Sequence, residues 1–502
     1  MKNNSSIRLG GVLSYITVFI NIAVTFFYTP WMIRQLGMSD YGLYSLVISF
    51  ISYFILDFGL SGTVTRFIAK YRAEGNQEKI ENVMGLTLKV FWAIDAVILL
   101  VLASIYPFLS NIFIGLTPEE VDKLQILYSI AGLFSVLSFI FKPMHGAMMA
   151  YEMFVETKVI DMAQKVGTVL FIVIALSLGW GVYSLVFING LIGFISSCAC
   201  YYVFKRKSCV NINLRYYEKR EMKSLLSYSM WIFLISIAQR FRLTFMPSLL
   251  GILSNSTQIS IFSLGMSIEG MVYVLASALN GLFLPRVSKL LYDGNRKEVT
   301  LLMVKVGRIQ LYIISLLLFG FLILGQSFLK LWVGDGFENT YYVVLMLTAT
   351  NIISLPQHVA SDVVAAENKV RYTASYTFIA SALALVLSIV LAPKYGALGC
   401  AFSFCIAMSL NLIQINLFYR RRLKIDIGYF FRECHIKVLP IIILISLPFY
   451  ILCRFMSIHS WILFIIIGAL YTIVYCSVLY FCSLNTFERQ LVQQLFSIIH
   501  KK

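Results

Sequence analysis

The chain has 502 residues, 59% of them hydrophobic and only 13% charged, with a formal net charge of +17. A soluble chain usually carries about 25% charged residues, so a soluble enzyme or scaffold is excluded. The positive charge does not point to nucleic acid, because Lys and Arg fall in alternate loops between apolar runs, the pattern of membrane topology.

Apolar runs of roughly 20 residues, the length a bilayer core needs, predict an all-α polytopic membrane protein. About fourteen spans are expected, at 10–33, 41–65, 86–109, 124–146, 157–178, 181–204, 225–250, 257–283, 301–325, 340–364, 371–392, 396–419, 436–455 and 459–482. The first run lacks a small-residue cleavage site and is expected to stay as the first helix. Basic residues crowd the loops at 205–223 and 420–437, and they also follow the runs at 70–79 and 286–297. With fourteen spans all these loops lie on the side of both termini, which the positive-inside rule makes cytoplasmic. The tail from Phe487, with Leu491, Val492, Leu495, Phe496 and Ile499 at helical spacing, reads as an interfacial amphipathic helix or an ordered end. The nine cysteines are scattered through the apolar runs without metal-ligand spacing. No loop has room for a catalytic domain, and neither a phosphate-binding GxxxxGK[ST] loop nor HExxH occurs. No catalytic residue, metal or cofactor is expected.

The chain carries an internal echo. Arg66 to Asn76 ends in Glu-Gly-Asn, and Arg286 to Asn295 ends in Asp-Gly-Asn. Leu13-Ser14-Tyr15 precedes the first copy and Leu226-Ser227-Tyr228 the second. Pro143-Met144-His145 and Pro356-Gln357-His358 follow, then Trp180-Gly181-Val182 and Tyr395-Gly396-Ala397. Self-similarity in constant order implies duplicated halves, a recurrent plan in secondary transporters. The expected organisation is a six-helix lobe at 1–210, a second at 211–424, and two added spans with the tail at 425–502. An even number of spans per half implies parallel repeats.

Ionisable residues inside spans are costly and mark functional positions. Arg240 and Arg242 lie deep in the seventh span and suit a phosphate-bearing substrate. Two residues apart on a helix point about 200° apart, so both face one cavity only if the helix bends, for which Pro247 is placed. Arg66 and Lys142 are further candidates for a cationic site. Asp57 and Glu269 occupy corresponding regions of the two halves and are candidates for ion coupling or for pairing with the arginines. His145, His358 and Asp362 are candidates for a cytoplasmic mouth. Asp161 and Lys165, four apart, are expected to neutralise each other. Lys89, Lys305 and Arg308 are expected to snorkel.

TPWMIRQLGMSDYGLYSL (29–46), LDFGLSGTVTRFIAKY (56–71) and APKYGALGCAF (392–402) resemble hallmark segments of the polysaccharide-biosynthesis flippases. These belong to the multidrug/oligosaccharidyl-lipid/polysaccharide exporter superfamily. The resemblance covers essentially the whole chain and implies an alternating-access transporter of the bacterial inner membrane. The substrate it implies is an undecaprenyl-diphosphate-linked oligosaccharide, a repeat unit of O antigen, capsule or a related glycan, moved from the cytoplasmic to the outer leaflet. It also implies a cationic central cavity, for which Arg240 and Arg242 are suited. The partners it implies are membrane lipids and, further, a polysaccharide polymerase and a chain-length regulator. A multidrug/cation antiporter would want an acidic cavity, which the two arginines oppose. A lipid II flippase shares the physics but not the segments at 29–46 and 56–71. A membrane-bound polymerase or ligase usually carries a large outer loop, which is missing here.

Overall fold

The computed structural model describes residues 2–52, 60–208, 210–223, 244–277, 280, 283–456, 458–486, 488–490 and 493. Every regular element among them is helical. The main helices are α1 (Lys2–Ile51), α2 (Leu60–Ala73), α3 (Gln77–Ile105), α4 (Pro118–Phe139), α5 (Lys142–Ala150), α6 (Phe154–Ser177), α7 (Val182–Ser208) and α8 (Phe245–Leu253). They continue as α9 (Ser256–Ala276), α10 (Leu284–Tyr292), α11 (Arg296–Trp332), α12 (Glu338–Ala349), α13 (His358–Ala366), α14 (Val370–Arg422), α15 (Lys437–Phe455) and α16 (Trp461–Cys482).

Among the described residues nine helices are long and apolar enough to cross a bilayer. A tenth span arises if Glu338–Ser354 and His358–Ala366, bent by 60° at a short break, count together. The chain is therefore a multi-pass membrane protein. Two long helices are each broken by a glycine that an L side chain would strain. Gly37 (φ 80°) interrupts α1 and Gly396 (φ 55°) interrupts α14, so each of these stretches is two helices joined at a break, and the break at Gly396 falls between the expected spans 371–392 and 396–419. Two expected spans fall partly outside the described residues, 225–250 at 224–243 and 41–65 at 53–59. The amphipathic tail also lies mostly outside them.

The internal echo is geometric as well as sequential. After α2, Gly75 (φ 68°) donates to Arg72 O (3.1 Å) and Asn76 to Tyr71 O (3.0 Å). After α10, Gly294 (φ 71°) donates to Leu291 O (3.1 Å) and Asn295 to Leu290 O (2.9 Å). Each closes a left-handed helix C-terminus. Each asparagine then caps the next helix, Asn76 accepting from Lys79 N (3.0 Å) and Asn295 from Glu298 N (3.3 Å). Further on, α5 and α13 have nine residues each. Both stop at a residue forced into positive φ, Glu152 (60°) and Asn368 (54°). In this register Lys142, not His145, is the counterpart of His358. The match of the two Pro-x-His triplets is therefore out of step, because Pro143 sits inside the first turn of α5 whereas Pro356 precedes α13.

By internal contacts the chain forms two units, Met1–Ser263 with Ala392–Gly396, and Leu264–Leu391 with Ala397–Lys502. In the first, α4 and α6 pack on α7 and both also meet α1, while α2 packs on α5. Val64, Ile68, Met144, Ala147 and Met148 are fully buried where α2 and α5 meet. In the second, α11 is the centre, meeting α12, α13, α15 and α16. Met303, Leu311, Ile314 and Phe430 are fully buried around it.

Candidate functional site

The first unit carries a half-open cavity, lined by both apolar and polar side chains, that begins with a broken helix. Thr117 and Glu120 form a capping box that starts α4, with Pro118 in its first turn. The helix loosens at Ile140–Phe141 and a new one starts at Lys142, again with a proline in its first turn. The break puts Lys142 on the wall of a cavity of about 440 Å³, shared by α1, α4, α6 and α7. Glycines shape the far wall. A Cβ on Gly190 would come within 2.6 Å of the Phe134 ring, so only glycine lets α4 and α7 close there. At Gly193 a Cβ would sit 3.7 Å from Gln164 Nε2, so the glutamine amide lies against open backbone. Asn189 Nδ2 donates to the Tyr44 hydroxyl (3.1 Å). Among the described residues of the lining, Lys142 is the one charged side chain.

The second unit carries a titratable pair in the place of Lys142. His358, first residue of α13, reaches Asp362 one turn on, Nδ1 to Oδ1 at 3.9 Å. Asp362 is buried and His358 half-buried. Beside them Gln357 Nε2 donates to Asn416 Oδ1 of α14 (2.8 Å). Glu269 is buried on α9 and accepts from Asn351 Nδ2 (3.0 Å). A second cavity of about 500 Å³ in this unit is walled mainly by apolar side chains, with Asn416 and Arg420 among its polar points.

Of the residues expected from sequence, Arg240, Arg242 and Asp57 lie outside the described residues. Arg66 is exposed on α2 and His145 exposed on α5, while Lys142 is half-buried. Among the described residues, His358 and Asp362 are brought together by the structure.

Three expectations are corrected. Arg308 does not snorkel. It is buried and ion-paired, Nε to Glu488 Oε1 at 2.6 Å, because α15, α16 and the segment after them cover α11. Lys89 turns back to donate to Tyr216 O (3.0 Å) in the connector after α7. Asp161 pairs with Lys158 (3.7 Å) rather than Lys165. The Tyr216 hydroxyl donates to Glu218 (2.5 Å) and Glu221 (3.1 Å). Its bond to Glu218, then its burial and the bond to Glu221, push the phenol pKa up. Sequence reading missed Asp95 on α3, which is buried with Oδ1 lacking a partner among the described residues. Its signal was plain, an aspartate within the apolar run of the third span. It also missed Gln164 and Asn189, which carry no charge to mark them in a span.

The sequence pattern of the family described as Polysaccharide biosynthesis protein matches residues 5–291. A capsular polysaccharide biosynthesis protein, CapF, of Staphylococcus aureus is 26% identical over 148 residues, 30% of this chain and 37% of the relative. The match thus spans well under half the length of that relative. Among solved structures, the lipid II flippase MurJ in an inward closed conformation superposes with a TM-score of 0.71 at 14% identity, covering 94% of this chain and 98% of that one. An inward-facing multidrug resistance MATE family transporter of the MOP superfamily gives 0.66 at 14%, covering 81% and 98%. These likenesses show the fold, which the chain shares with both solved structures.

Proposed function

The chain belongs to the Polysaccharide biosynthesis protein family, and on that premise we propose that it is a flippase for an undecaprenyl-diphosphate-linked oligosaccharide repeat unit. It moves the headgroup from the cytoplasmic to the outer leaflet of the bacterial cytoplasmic membrane. No covalent bond changes, so the protein acts as a transporter and not as an enzyme. The observation that carries the reading is the cavity of the first unit, whose described lining combines Lys142 with amide and hydroxyl side chains and includes no carboxylate.

A diphosphate cannot cross hydrocarbon unaided, because an unpaired charge in a low-dielectric medium is strongly disfavoured. A path of fixed cations and hydroxyls replaces its water. Arg240, Arg242, Arg66 and Lys142 supply the cations in this reading, and the lipid tail stays in the bilayer. Two six-helix lobes, 1–210 and 211–424, rock about the site, with 425–502 adding two spans and both termini cytoplasmic. His145, His358 and Asp362 line the inner mouth. Asp57 and Glu269 are the carboxylates placed for ion coupling. An inside-negative potential favours outward movement of the anion, about 2.3 kcal/mol per charge per 100 mV. A polymerase and a chain-length regulator receive the product.

The test is leaflet-resolved accessibility of a lipid-linked oligosaccharide in proteoliposomes, comparing wild type with Arg240→Ala/Arg242→Ala. The expected result is movement by wild type and loss in the variant at equal insertion. Equal movement by both makes the arginines structural. No movement by wild type under an imposed proton or sodium gradient overturns the flippase reading.

A further inference from the structure

The cavity of the second unit is built by a chain reversal. α14 ends at Arg422, Lys424 takes a positive φ (53°), and Ile425 N donates back to Tyr419 O (3.2 Å). Asp426 then caps a short turn, its carboxylate accepting from Tyr429 N (2.9 Å). Phe430 in that turn is fully buried against Gly307, where a Cβ would lie 2.9 Å from Phe430 Cε2. This anchor leaves Ile427 and Phe431, one turn apart, on the cavity wall. The facing wall is a stripe of α14 made of Ser409, Leu412, Ile413, Asn416, Leu417 and Arg420, the spacing of a single helix face. At 1.5 Å per residue the stripe runs about 16 Å.

The polar side chains of this stripe are committed within the protein, with one exception. Ser409 Oγ donates to Cys405 O (2.8 Å), Asn416 Nδ2 to Leu412 O (2.8 Å), and Asn416 Oδ1 accepts from Gln357 Nε2 (2.8 Å). Arg420 is exposed in the last turn of α14 and makes no hydrogen bond or ion pair among the described residues, so its whole fork of donors remains for a guest. The matching guest is apolar along its length and anionic at one end. A sugar or a free phosphate leaves the apolar wall wet, and an organic cation is repelled by the arginine. Size narrows the choice further. At roughly 30 Å³ per water-sized group, about 500 Å³ holds on the order of 16 such groups, which fits one acyl chain and only a fraction of an undecaprenyl chain.

We infer that this cavity is a binding site for an anionic phospholipid, with one acyl chain along α14 and the phosphate on Arg420. The arginine closes a membrane-spanning helix, the depth at which basic side chains meet lipid phosphates. The bound lipid joins the end of α12, the last turns of α14 and the turn at 427–431, which all line the cavity. The inference stands apart from the flippase reading, because this lipid is a resident of the second unit and not the cargo.

Equilibrium binding to the purified full chain in nonionic detergent is measured for four probes: phosphatidylglycerol, phosphatidylcholine with the same acyl chains, glycerol phosphate and undecaprenyl phosphate. Phosphatidylglycerol is expected to bind about fivefold tighter than phosphatidylcholine, the worth of one basic side chain at an anionic headgroup. Arg420→Gln should erase that ratio and Arg420→Lys keep most of it, which also controls for folding. Ile413→Trp, which fills the groove, should weaken both phospholipids and leave their ratio. A ratio near one in wild type overturns the inference. So does an Arg421→Gln/Arg422→Gln variant that loses the ratio as fully as Arg420→Gln, because the attraction is then the diffuse charge of the surface. Glycerol phosphate displacing phosphatidylglycerol as well as whole lipid does reduces the site to an anion site without a groove and overturns it. Undecaprenyl phosphate binding tighter than phosphatidylglycerol gives the groove to the transported lipid and overturns it too. Binding is read without transport, so the flippase test keeps its own outcome.

Discussion

Replacing Glu488 with Gln should unfold the second unit far more easily than its place near the end of the chain suggests. The guanidinium of Arg308 is 7% exposed and the Glu488 carboxylate 2% exposed. Arg308 Nε donates to Glu488 Oε1 (2.6 Å) and Nη2 to Oε2 (3.1 Å). The same guanidinium reaches Glu433 O (2.8 Å), Ser483 O (2.6 Å) and the Tyr312 hydroxyl (2.7 Å). One side chain therefore ties α11 to the segment before α15 and to the segment after α16. Removing one partner of a buried pair leaves an uncompensated charge and costs about 3–5 kcal/mol. The three remaining acceptors place the Glu488→Gln cost at the low end, about 3 kcal/mol, on the order of 10² in the unfolding equilibrium. Replacing both, as Arg308→Met/Glu488→Leu, removes the charge with its partner and should return stability to within about 1 kcal/mol of wild type. Denaturant unfolding in mixed micelles, read through a label on α11, measures all of these. If Glu488→Gln costs under about 1 kcal/mol, the value of an exposed pair, or if the double variant is worse than the single one, the buried-pair argument fails.

Gly146→Ala should destabilise by about 1–3 kcal/mol, because its Cβ would lie 2.4 Å from Ser61 O, a backbone atom that cannot step aside. Gly132→Ala, whose Cβ would meet Leu102 Cδ1 at 3.6 Å, is the control, and thermal unfolding of the two in detergent gives the comparison. Asp95→Leu should hold or raise stability in the same measurement, since it removes a buried oxygen that lacks a partner among the described residues; a loss above about 1 kcal/mol refutes this. At the start of α14, burial raises the Glu367 carboxyl, but bonds from Lys369 (2.7 Å) and Arg296 (2.5 Å) outweigh it and hold the pKa below the ordinary 4.5. Its contribution to stability is therefore present above about pH 4.5 and lost as pH falls through the lower folded value. Glu367→Gln should flatten acid unfolding in that window, and an unchanged acid limb contradicts the assignment.

The membrane fold was legible because apolar runs of bilayer length have few other readings, and α6, α7, α15 and α16 begin and end within a few residues of the expected spans. The duplicated turns were legible for a related reason. Gly75-Asn76 and Gly294-Asn295 encode a left-handed stop followed by a cap, and few residues do both. The register between the halves was not legible at the Pro-x-His triplets, since Pro143 and Pro356 serve different positions of the same break. Arg308 was misread because a cation near a span end is consistent with snorkelling and with a buried pair, and its partner lies 180 residues away. The cavity was half legible. Lys142 stood out as a charge in an apolar segment, whereas Gln164 and Asn189 became visible once packing placed them on one wall.

The most direct test of the central claim is where the undecaprenyl-linked repeat unit resides in cells from which this protein has been removed. The leaflet is read by a membrane-impermeant glycan-modifying reagent before and after permeabilisation. The account expects the unit to accumulate where the reagent reaches it only after permeabilisation, on the cytoplasmic side, and to move outward when the protein is restored. Accumulation accessible from outside in intact cells contradicts the account, because flipping is then intact and the missing step is polymerisation.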